Sequence, residues 1–351
     1  MATIYEVSEL AGVSLATVSR VMNNSGKVAA ATRKRVEDAM RELGYRPNSI
    51  AQSLASHRSN CVGVLVSELH GPIFGALLGT IESELRHAGK FAIFSVGHNE
   101  AERERQGIEF LASRNCDALI LHVEALPTEY FLENTPELLP FVLINRDDPP
   151  LLDNCIRLNN EQGGYLATRS LLELGHRRIG YISGPVGWGD ADARIAGHRR
   201  ALREFGVAFE DRLFVEGNYQ WRSGELGTRR LLEIEPNLTA VVCANDEMAA
   251  ASIRVIRDAG LGVPEDLSVI GFDNVRWSSY LEPQLTTIDY PADQLGCMAA
   301  RWVLRNVYGD TGVEVQQDFE PRLVRRASSG PPRGTAASKT PLSLGGAAAP
   351  A

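Results

Sequence analysis

Polar side chains stand directly after several apolar, strand-like runs of this sequence, where they could bind a ligand. Asn145 follows the run FVLI, Asn245 follows VVCA, and Asp273 follows VIGF. Arg194 lies near the start of a predicted helix, after a glycine-rich loop. Carboxylate and carboxamide groups beside the planar guanidinium of an arginine suit a ligand that carries many hydroxyl groups.

Two aromatic residues fit the same chemistry, although a simpler interpretation is also open. Phe74 and Tyr219 offer flat rings that could stack on a sugar. Asn and Asp are, however, also side chains that cap helices, and predicted helices follow several of these runs. For any single Asn or Asp at a strand end, capping alone is a sufficient explanation.

A second set of candidate residues lies on the second of three short predicted helices near the amino terminus. Arg20 can donate two hydrogen bonds to the edge of a guanine, a contact worth about 1–3 kcal/mol of discrimination. Leu15 and Ala16 offer apolar contact, for instance to thymine methyl groups. Thr17 and Ser19 carry short hydroxyl side chains suited to phosphate. This face predicts DNA binding, and a small helical bundle with an exposed arginine is the alternative.

Capping signals define where these helices begin. Thr3 and Glu6 form the T-x-x-E capping box of a first helix that runs through Ala11. The predicted buried stripe of this helix is Ile4, Val7 and Leu10.

The turn after the first helix has the composition of a helix-turn-helix motif. Gly12 permits a tight turn, and Ser14 is a good cap for the second helix, Leu15 to about Met22. A third helix is predicted to start near Thr32 and to end at a glycine cap, Gly44. In this motif the second helix enters the major groove. The third helix is predicted to bury Val36, Ala39, Met40 and Leu43.

Residues 46–60 predict a short helix that follows the helical head. Pro47 ends the preceding element, and Asn48 or Ser49 can cap a helix of barely two turns, which is too short to be stable alone in water. Leu54 is its one large apolar residue past the start, and a leucine wedged between base steps is a known minor-groove strategy. The alternative is a linker helix that docks on the body.

Residues 61–327 alternate between strand-like and amphipathic helical runs. The strand-like runs are 62–66, 91–96, 118–123, 141–145, 178–183, 213–217, 240–245 and 267–273, and the helical runs include 74–88, 101–114, 162–174, 191–205 and 247–259. This alternation predicts an α/β body of parallel sheets with helices on both faces. This number of strands is more than one sheet usually carries. We therefore expect two doubly wound subdomains with a cleft between them. Ligands in such sheets bind outside the carboxyl ends of the strands.

The formal net charge of −8 conceals a basic amino-terminal segment. Residues 1–60 hold eight Lys and Arg against five Asp and Glu, which gives +3 and leaves −11 for the remaining residues. A basic head attracts phosphate, whereas an acidic body discourages nonspecific binding to DNA.

The other compositional features predict a cytoplasmic protein. The five cysteines show no CxxC spacing, which suits reduced thiols rather than disulfides or a zinc site. The amino terminus has no signal-peptide pattern, and no apolar run approaches the roughly 20 residues that span a membrane. We therefore expect no membrane partner.

Catalytic function is not predicted. The seven histidines lack metal-ligand spacing, and the sequence has no GxSxG, HExxH, GxxxxGK[ST] or GxGxxG motif. A sugar hydrolase would need a proton-transfer pair that the sequence does not place. We therefore expect no catalytic residues, no metal and no cofactor. A secreted sugar-binding protein could share the body, but it would need a signal peptide and would lack the DNA-binding head.

Long stretches of the chain resemble one family. The runs TIYEVSELAGVSLATVSRVMNN and KVAAATRKRVEDAMRELGYRPNSIAQSLAS resemble the lactose-repressor family of bacterial transcriptional regulators. LSVIGFD and NDEMAAA resemble the effector-binding core of that family, which shares its fold with periplasmic sugar-binding proteins. The similarity covers residues 2–327. The runs nearest to the galactose repressor and isorepressor branch are GHNEAERERQGIEFL, LPFVLINR, GYLATRSLLELGHRRIGY, PQLTTIDYP and PRLVRR.

The resemblance assigns roles to individual residues. It implies that Leu15, Ala16 and Arg20 read the operator, and that Leu54 intercalates at its centre. The full candidate set for DNA contact is Thr3, Ser14, Leu15, Ala16, Thr17, Ser19, Arg20, Asn23, Ala51 and Leu54. The implied effector ligands are Arg194, Asn245 and Asp273, with Asn145, Phe74 and Tyr219 lining the same pocket.

The resemblance also implies a domain organisation and a function. We expect a helix-turn-helix domain at 1–45, a hinge at 46–60, a two-lobed effector-binding and dimerisation domain at 61–327 and a disordered tail at 328–351. The tail lacks the leucine heptads of a tetramerising coiled coil, so a homodimer is expected. The expected function is repression at a palindromic operator of the bacterial nucleoid, relieved by galactose or a related hexose. The alternative regulator is corepressor-dependent, of the purine type.

Overall fold

The computed structural model describes residues 2–22, 26–45, 58–134 and 138–333. The chain divides into two compact units after Asn60. The first unit is the helical head and the second is the α/β body. Within the described ranges, no helix is both long and apolar enough to cross a membrane.

The head contains three helices: α1 Ile4–Ala11, α2 Leu15–Met22 and α3 Ala30–Glu42. Apolar residues at helical spacing form its core, as the sequence predicts for α2 and α3. The fully or nearly buried members are Val7, Ala11, Val18, Val21, Val36 and Ala39.

The predicted stripe of α1 is wrong at one position. Leu10 is 47% exposed, and Ala11 is buried in its place. The face of α1 that packs on the other two helices is centred on Val7 and Ala11, which lie four positions apart. Leu10, three positions after Val7, lies at the edge of that face. A small alanine at the centre of that face fits the close packing of three short helices.

The capping predictions for the head are confirmed. The Thr3 Oγ1 accepts the Glu6 N–H at 3.4 Å, and the Glu6 carboxylate accepts the Thr3 N–H at 2.6 Å. Gly12 has a φ of +61°, a left-handed conformation that favours glycine at this turn. Helix α3 begins at Ala30, two residues before the predicted start, and Gly44 follows it with a φ of +62°.

The body contains twelve described strands in two sheets. The strands are β1 Cys61–Val66, β2 Phe91–Val96, β3 Ala118–Leu121, β4 Phe141–Ile144, β5 Cys155–Leu158, β6 Ile179–Ile182, β7 Phe214–Val215, β8 Ala240–Cys243, β9 Ser268–Asp273, β10 Thr286–Asp289, β11 Asp318–Phe319 and β12 Arg322–Val324. Each sheet has six strands, in the orders β11-β5-β4-β3-β1-β2 and β12-β10-β9-β8-β6-β7. All described pairings are parallel except β10 with β12. The predicted pair of doubly wound parallel sheets is confirmed.

Helices cover the sheets. They are α4 Pro72–His87, α5 Ala101–Ser113, α6 Thr128–Asn134, α7 Asn160–Glu173, α8 Gly189–Glu204, α9 Trp221–Ile234, α10 Asp246–Asp258 and α11 Ala292–Asn306. Short 3-10 helices occupy Pro149–Asn154, Asp211–Leu213 and Arg276–Ser279. Strands β3, β4 and β8 are buried along their whole length, which explains their uninterrupted apolar sequences.

The chain crosses three times between two lobes, which we name by their sheets. The first lobe contains β1–β5 and β11, and the second contains β6–β10 and β12. The crossings follow β5, β10 and β11. Helix α11 lies after the second crossing and packs on α4 and the first sheet. A ligand held at the carboxyl ends of the strands therefore lies between two lobes that are connected by three segments.

The sequence-based prediction of a disordered tail from residue 328 places its start too early. Ser328 is buried, donates its N–H to the Gln284 carbonyl at 2.9 Å, and donates its hydroxyl to the Val269 carbonyl at 2.6 Å. The Gly330 N–H donates to Ser268 Oγ at 3.0 Å. Composition misjudged these residues because small side chains bring little apolar area, while their backbone and hydroxyl groups bond to the second lobe. The rest of the tail, from residue 334, lies outside the described residues.

Candidate DNA-contact helix and ligand cavity

Helix α2 presents the predicted outward face. Leu15 is 37% exposed, and Ala16 and Arg20 are also exposed, while the opposite face is buried in the head core. Ser14 caps the helix, since its Oγ accepts the Thr17 N–H at 3.3 Å and lies 3.0 Å from the Thr17 hydroxyl. The structure thus leaves these side chains exposed on one face of the helix, and their contact with DNA stays a prediction.

The remaining candidates for DNA contact divide into two groups. Thr3 and Ser19 lie in the described head, Thr3 in the capping box and Ser19 partly buried on α2. Asn23, Ala51 and Leu54 lie outside the described residues, as does most of the predicted hinge.

In the body, one cavity of about 380 Å³ opens between the two lobes. A volume of this size suits a small-molecule ligand. The six predicted effector residues all line it: Phe74, Asn145, Arg194, Tyr219, Asn245 and Asp273. Their role as ligands stays a prediction, but the structure brings them together at one place.

Strand ends and left-handed backbone position these residues. Asn145 and Asn245 come just after the carboxyl ends of β4 and β8, and Asp273 is the last residue of β9. Asn145, Tyr219 and Asp273 have φ values of +61°, +66° and +117°. Such conformations are costly for residues other than glycine and persist where the surrounding structure enforces them, as at binding sites.

Arg194 is the buried cation of the cavity. Its Nε donates to Asn160 Oδ1 at 2.9 Å, and its Nη1 donates to the Ala244 carbonyl at 2.7 Å. Its Nη2 lies 3.5 Å from Asp190 Oδ2, and the guanidinium stacks over Phe272 with its Cζ 3.7 Å from the ring centroid. Burial alone would lower the pKa of Arg194, but the surrounding acidic groups raise it, so the residue keeps its charge.

Tyr219 is held on several sides. Its hydroxyl donates to Asp190 Oδ2 at 2.9 Å, and its carbonyl accepts the Asn245 Nδ2 at 2.7 Å. A side chain at Gly184 would approach its ring to 2.2 Å, so only glycine allows the ring to lie there. These contacts fix the orientation of the aromatic wall of the cavity.

The capping interpretation and the binding interpretation both apply to Asn245. Its Oδ1 accepts the Met248 N–H at 2.9 Å and caps α10, while the same side chain lines the cavity. Asn145 differs, since its Oδ1 accepts from Asn160 Nδ2 at 2.9 Å and it caps no helix among the described elements.

Several cavity residues were not predicted as candidates. His122 and Glu124 follow β3 in the same way that Asn145 follows β4, so the strand-end pattern could have found them. Other missed residues include Glu68, Trp188, Asp190, Trp221, Trp277 and Tyr290. Glu68, Trp188 and Tyr290 lie on loops, while the other three lie on helices. Their approach to the cavity depends on the packing of the two lobes.

Two cavity carboxyl groups lie in an environment that disfavours negative charge. Burial raises the pKa of Glu124 well above its usual value, and the nearby Asp190 raises it further. Burial likewise raises the pKa of Asp273 well above its usual value, although Arg194 acts in the opposite direction. Among the described residues, no group of three or more His, Cys, Asp or Glu is arranged to hold a metal ion.

Comparisons with known proteins agree with this geometry. Residues 3–48 match the family model described as bacterial regulatory proteins, lacI family, and residues 168–329 match the periplasmic binding protein-like domain. The chain is 40% identical over 332 residues to the HTH-type transcriptional regulator GalR of Escherichia coli K12, covering 95% of this chain and 97% of GalR. It is 34% identical over 331 residues to the HTH-type transcriptional repressor PurR of Aliivibrio salmonicida, covering 93% and 99%.

A solved structure supports the same conclusion. The crystal structure of the lac repressor dimer, bound to operator and the anti-inducer ONPF, matches with a TM-score of 0.82 and 30% identity, covering 94% of this chain and 99% of that one. The relatives named here are transcriptional regulators rather than enzymes. The protein therefore belongs to the LacI family of bacterial regulatory proteins and is a sequence-specific DNA-binding transcriptional regulator.

Proposed function

We propose that this regulator represses transcription by binding a palindromic operator as a homodimer, and that a small sugar in the body cavity releases it. The proposed sugar is galactose or a related hexose. The convergence on one cavity of six residues predicted from the sequence carries this proposal. The 40% identity to GalR over nearly the whole chain supports the choice of sugar.

The proposed DNA contacts follow from the exposed face of α2. Arg20 reads a base edge through its guanidinium, and Leu15 and Ala16 make apolar contacts in the major groove. Thr17 and Ser19 contact the phosphate backbone. The net charge of +3 in residues 1–60 favours this end of the chain for DNA.

The dimer is proposed from operator symmetry. Two helix-turn-helix heads related by a two-fold axis bind the two halves of a palindrome. The lac repressor, which resembles this chain, is described as a dimer bound to operator. Because its target is chromosomal DNA, we place the protein in the bacterial cytoplasm, with the nucleoid.

Release is proposed to follow from linkage between the two sites. A sugar held by residues of both lobes stabilises one arrangement of the body, and residues 46–60 connect that body to the head. If sugar weakens operator binding by some factor, operator must weaken sugar binding by the same factor. This reciprocity can be measured without knowing which segments of the protein move.

The second candidate is a regulator whose ligand strengthens DNA binding. The 34% identity to PurR over 331 residues supports this second candidate. In that case a purine base would be the cavity ligand, and operator affinity would rise when it binds. The direction of the effect therefore separates the two functions.

One experiment tests both candidates. Random duplex DNA is selected with the full chain, and the enriched sequence is labelled for a fluorescence anisotropy titration. We expect enrichment of a palindrome and loss of binding when galactose or a related hexose is added. If a purine strengthens binding and no hexose weakens it, the corepressor function replaces the proposed one. Failure to enrich any palindrome would contradict the dimeric repressor.

A further inference from the structure

We propose that Asn160 couples the two lobes of the body, so that its removal uncouples sugar binding from operator release. Asn160 lies outside the cavity lining and is therefore a positioning residue rather than a ligand of the sugar. The inference rests on the proposed function, because it concerns the route from the sugar to the operator. It goes further by naming one buried residue on that route.

Asn160 lies where the chain first passes from one lobe to the other. Strand β5 of the first lobe ends at Leu158, and Asn160 is the first residue of α7, which packs on α8 of the second lobe. Only Asn159 separates it from the strand. A side chain at this point can contact both lobes at once, so its hydrogen bonds depend on how the lobes are arranged.

The carboxamide of Asn160 connects a strand end of the first lobe to the guanidinium of the second. Its Nδ2 donates to Asn145 Oδ1 at 2.9 Å, and Asn145 directly follows β4. Its Oδ1 accepts the Arg194 Nε–H at 2.9 Å, and Arg194 lies on α8. Asn145, Asn160 and Arg194 are 6%, 6% and 3% exposed. Breaking either hydrogen bond would leave a buried polar group without its partner, which is costly.

The order of donors and acceptors fixes the orientation of both amides. A guanidinium only donates, so Arg194 requires the oxygen of Asn160 on its side. The Asn160 Nδ2 then faces Asn145, which has to present its own oxygen. A change in the position of Arg194 therefore reaches the first lobe through a hydrogen-bonded chain of fixed direction.

Close packing makes the start of α7 follow any movement of α8. A Cβ at Gly164 would lie 2.1 Å from the Arg194 carbonyl oxygen, and a Cβ at Gly197 would lie 2.0 Å from the Glu161 carbonyl oxygen. The two helices thus meet backbone to backbone in the first turns of α7. If a bound sugar displaces Arg194, the Asn160–Asn145 hydrogen bond must either break or draw the first lobe along. This bond is the two-state element that the proposal requires.

The experiment measures a coupling ratio with the full chain. The hexose that binds most tightly among galactose, glucose and mannose is titrated into the free protein and into the protein saturated with its selected palindromic duplex. The ratio of the two dissociation constants is the coupling between sugar and operator. We expect a ratio of at least ten for the unaltered protein and a ratio at least threefold smaller for Asn160→Ala.

Gln162→Ala is the matched control on the same turn of α7. Gln162 Oε1 accepts an Arg200 N–H at 2.7 Å, so both variants remove an amide that accepts from an arginine of α8. The contact of Gln162 stays within the second lobe, and we expect its variant to keep the full coupling ratio. An equal reduction in both variants would overturn the specific role of Asn160, because it would reflect a general weakening of α7.

A double-mutant cycle tests the contact between the lobes directly. Asn145→Ala removes the first-lobe half of the chain and leaves the Asn160–Arg194 hydrogen bond in place, so it also serves if Asn160→Ala does not fold. We expect Asn145→Ala to lower the ratio at least threefold, and the double variant to lower it no further.

The outcomes separate this inference from the proposed function. If the unaltered protein shows a large ratio and Asn160→Ala or Asn145→Ala keeps it, the relay is overturned and sugar-driven release stands. If the two reductions multiply in the double variant, the residues act independently and the relay is likewise overturned. If none of the three hexoses binds, or the ratio of the unaltered protein is one, sugar-driven release fails and this inference fails with it.

Discussion

Tyr219 donates its hydroxyl to the Asp190 carboxylate at 2.9 Å, and Arg194 lies 3.5 Å from the same oxygen. The three side chains come from the loop before α9 and from the first turns of α8. They hold one another through these direct contacts, so the protein's own side chains fix the arrangement of the second-lobe half of the cavity. Such preorganisation reduces the entropy that a ligand loses on binding.

Replacing Tyr219 by phenylalanine should weaken this arrangement without removing the ring. The Asp190 carboxylate would lose a buried hydrogen-bond donor, so we expect the free energy of unfolding to decrease by about 1–3 kcal/mol. Urea denaturation measures the change. The exposed Tyr280→Phe variant is the control and should change stability by less than about 0.5 kcal/mol. Equal stability of both variants would show that the Tyr219–Asp190 contact contributes nothing.

Arg194→Ala should abolish the response to sugar while the operator is still bound. The substitution leaves Asp190 without its cation and opens a space beside Phe272, so we also expect a loss of about 3–5 kcal/mol in stability. Operator titrations with and without the hexose measure the response. Arg229→Ala, which removes an exposed arginine paired with Glu225 on α9, should respond normally. Release of the Arg194→Ala variant at the usual sugar concentration would contradict the proposed site.

Gly164→Ala should disturb the cavity indirectly, through the packing of α7 against α8. A Cβ at Gly164 would lie 2.1 Å from the Arg194 carbonyl oxygen, so α7 and α8 must move apart and Arg194 must shift. We expect a destabilisation of about 1–3 kcal/mol and weaker hexose binding. Gly79→Ala is the control, because nothing lies within 4 Å of that Cβ and alanine favours the helix. Calorimetry and denaturation should separate the two variants, and identical behaviour would exclude the crowding.

Arg20→Ala should impair operator recognition and leave the sugar affinity unchanged. The loss of a bidentate contact to guanine costs about 1–3 kcal/mol and relaxes selectivity at one base position. Anisotropy titrations against single-base operator variants measure both effects. Arg41→Ala removes an exposed arginine that pairs with Asp38 on α3, and it should weaken all operators to a similar, smaller extent. Unchanged selectivity in Arg20→Ala would remove its role in base recognition.

Asp246 predicts a dependence of stability on pH. Burial raises the pKa of Asp246 from 3.8 to about 7, although Thr287 and the Val275 N–H donate hydrogen bonds to it. The folded protein therefore holds this proton more tightly than the unfolded chain. Its stabilising contribution is complete below about pH 4, decreases as the pH rises, and is lost above about pH 7.

Denaturation between pH 5 and pH 8 tests this dependence. We expect the free energy of unfolding to decrease across the window, by up to about 3 kcal/mol from this group, since about two pKa units of the shift lie between pH 5 and pH 7. Asp246→Asn should show a shallower slope, whereas Asp258→Asn, an exposed site on the same helix, should keep the original one. Glu124 and Asp273 act in the same direction, so the slope should not vanish. A slope unchanged by Asp246→Asn would exclude its contribution.

The amino-acid sequence by itself determined the helices of the head and most strands of the body. Thr3, Gly12 and Ser14 are local signals, because a cap or a left-handed turn depends on one or two neighbouring residues. Apolar runs such as β3 and β4 are similarly visible, because strands buried on both faces need apolar residues at every position. The strand-end rule then located Asn145, Asn245 and Asp273, and the structure brought them to one cavity.

Only the tertiary structure decided what depends on distant pairing. Strand β11 has two residues and strand β12 three, too few for a periodic pattern, and they exist because β5 and β10 supply hydrogen-bonding partners. The inclusion of Ser328 in the second lobe has the same cause. The approach of Asp190 to Tyr219 and Arg194 follows from the packing of loops and lobes, as does the burial of the His122 side chain. Sequence spacing does not predict such contacts, because the free energy of a buried charge depends on every neighbour that the fold brings to it.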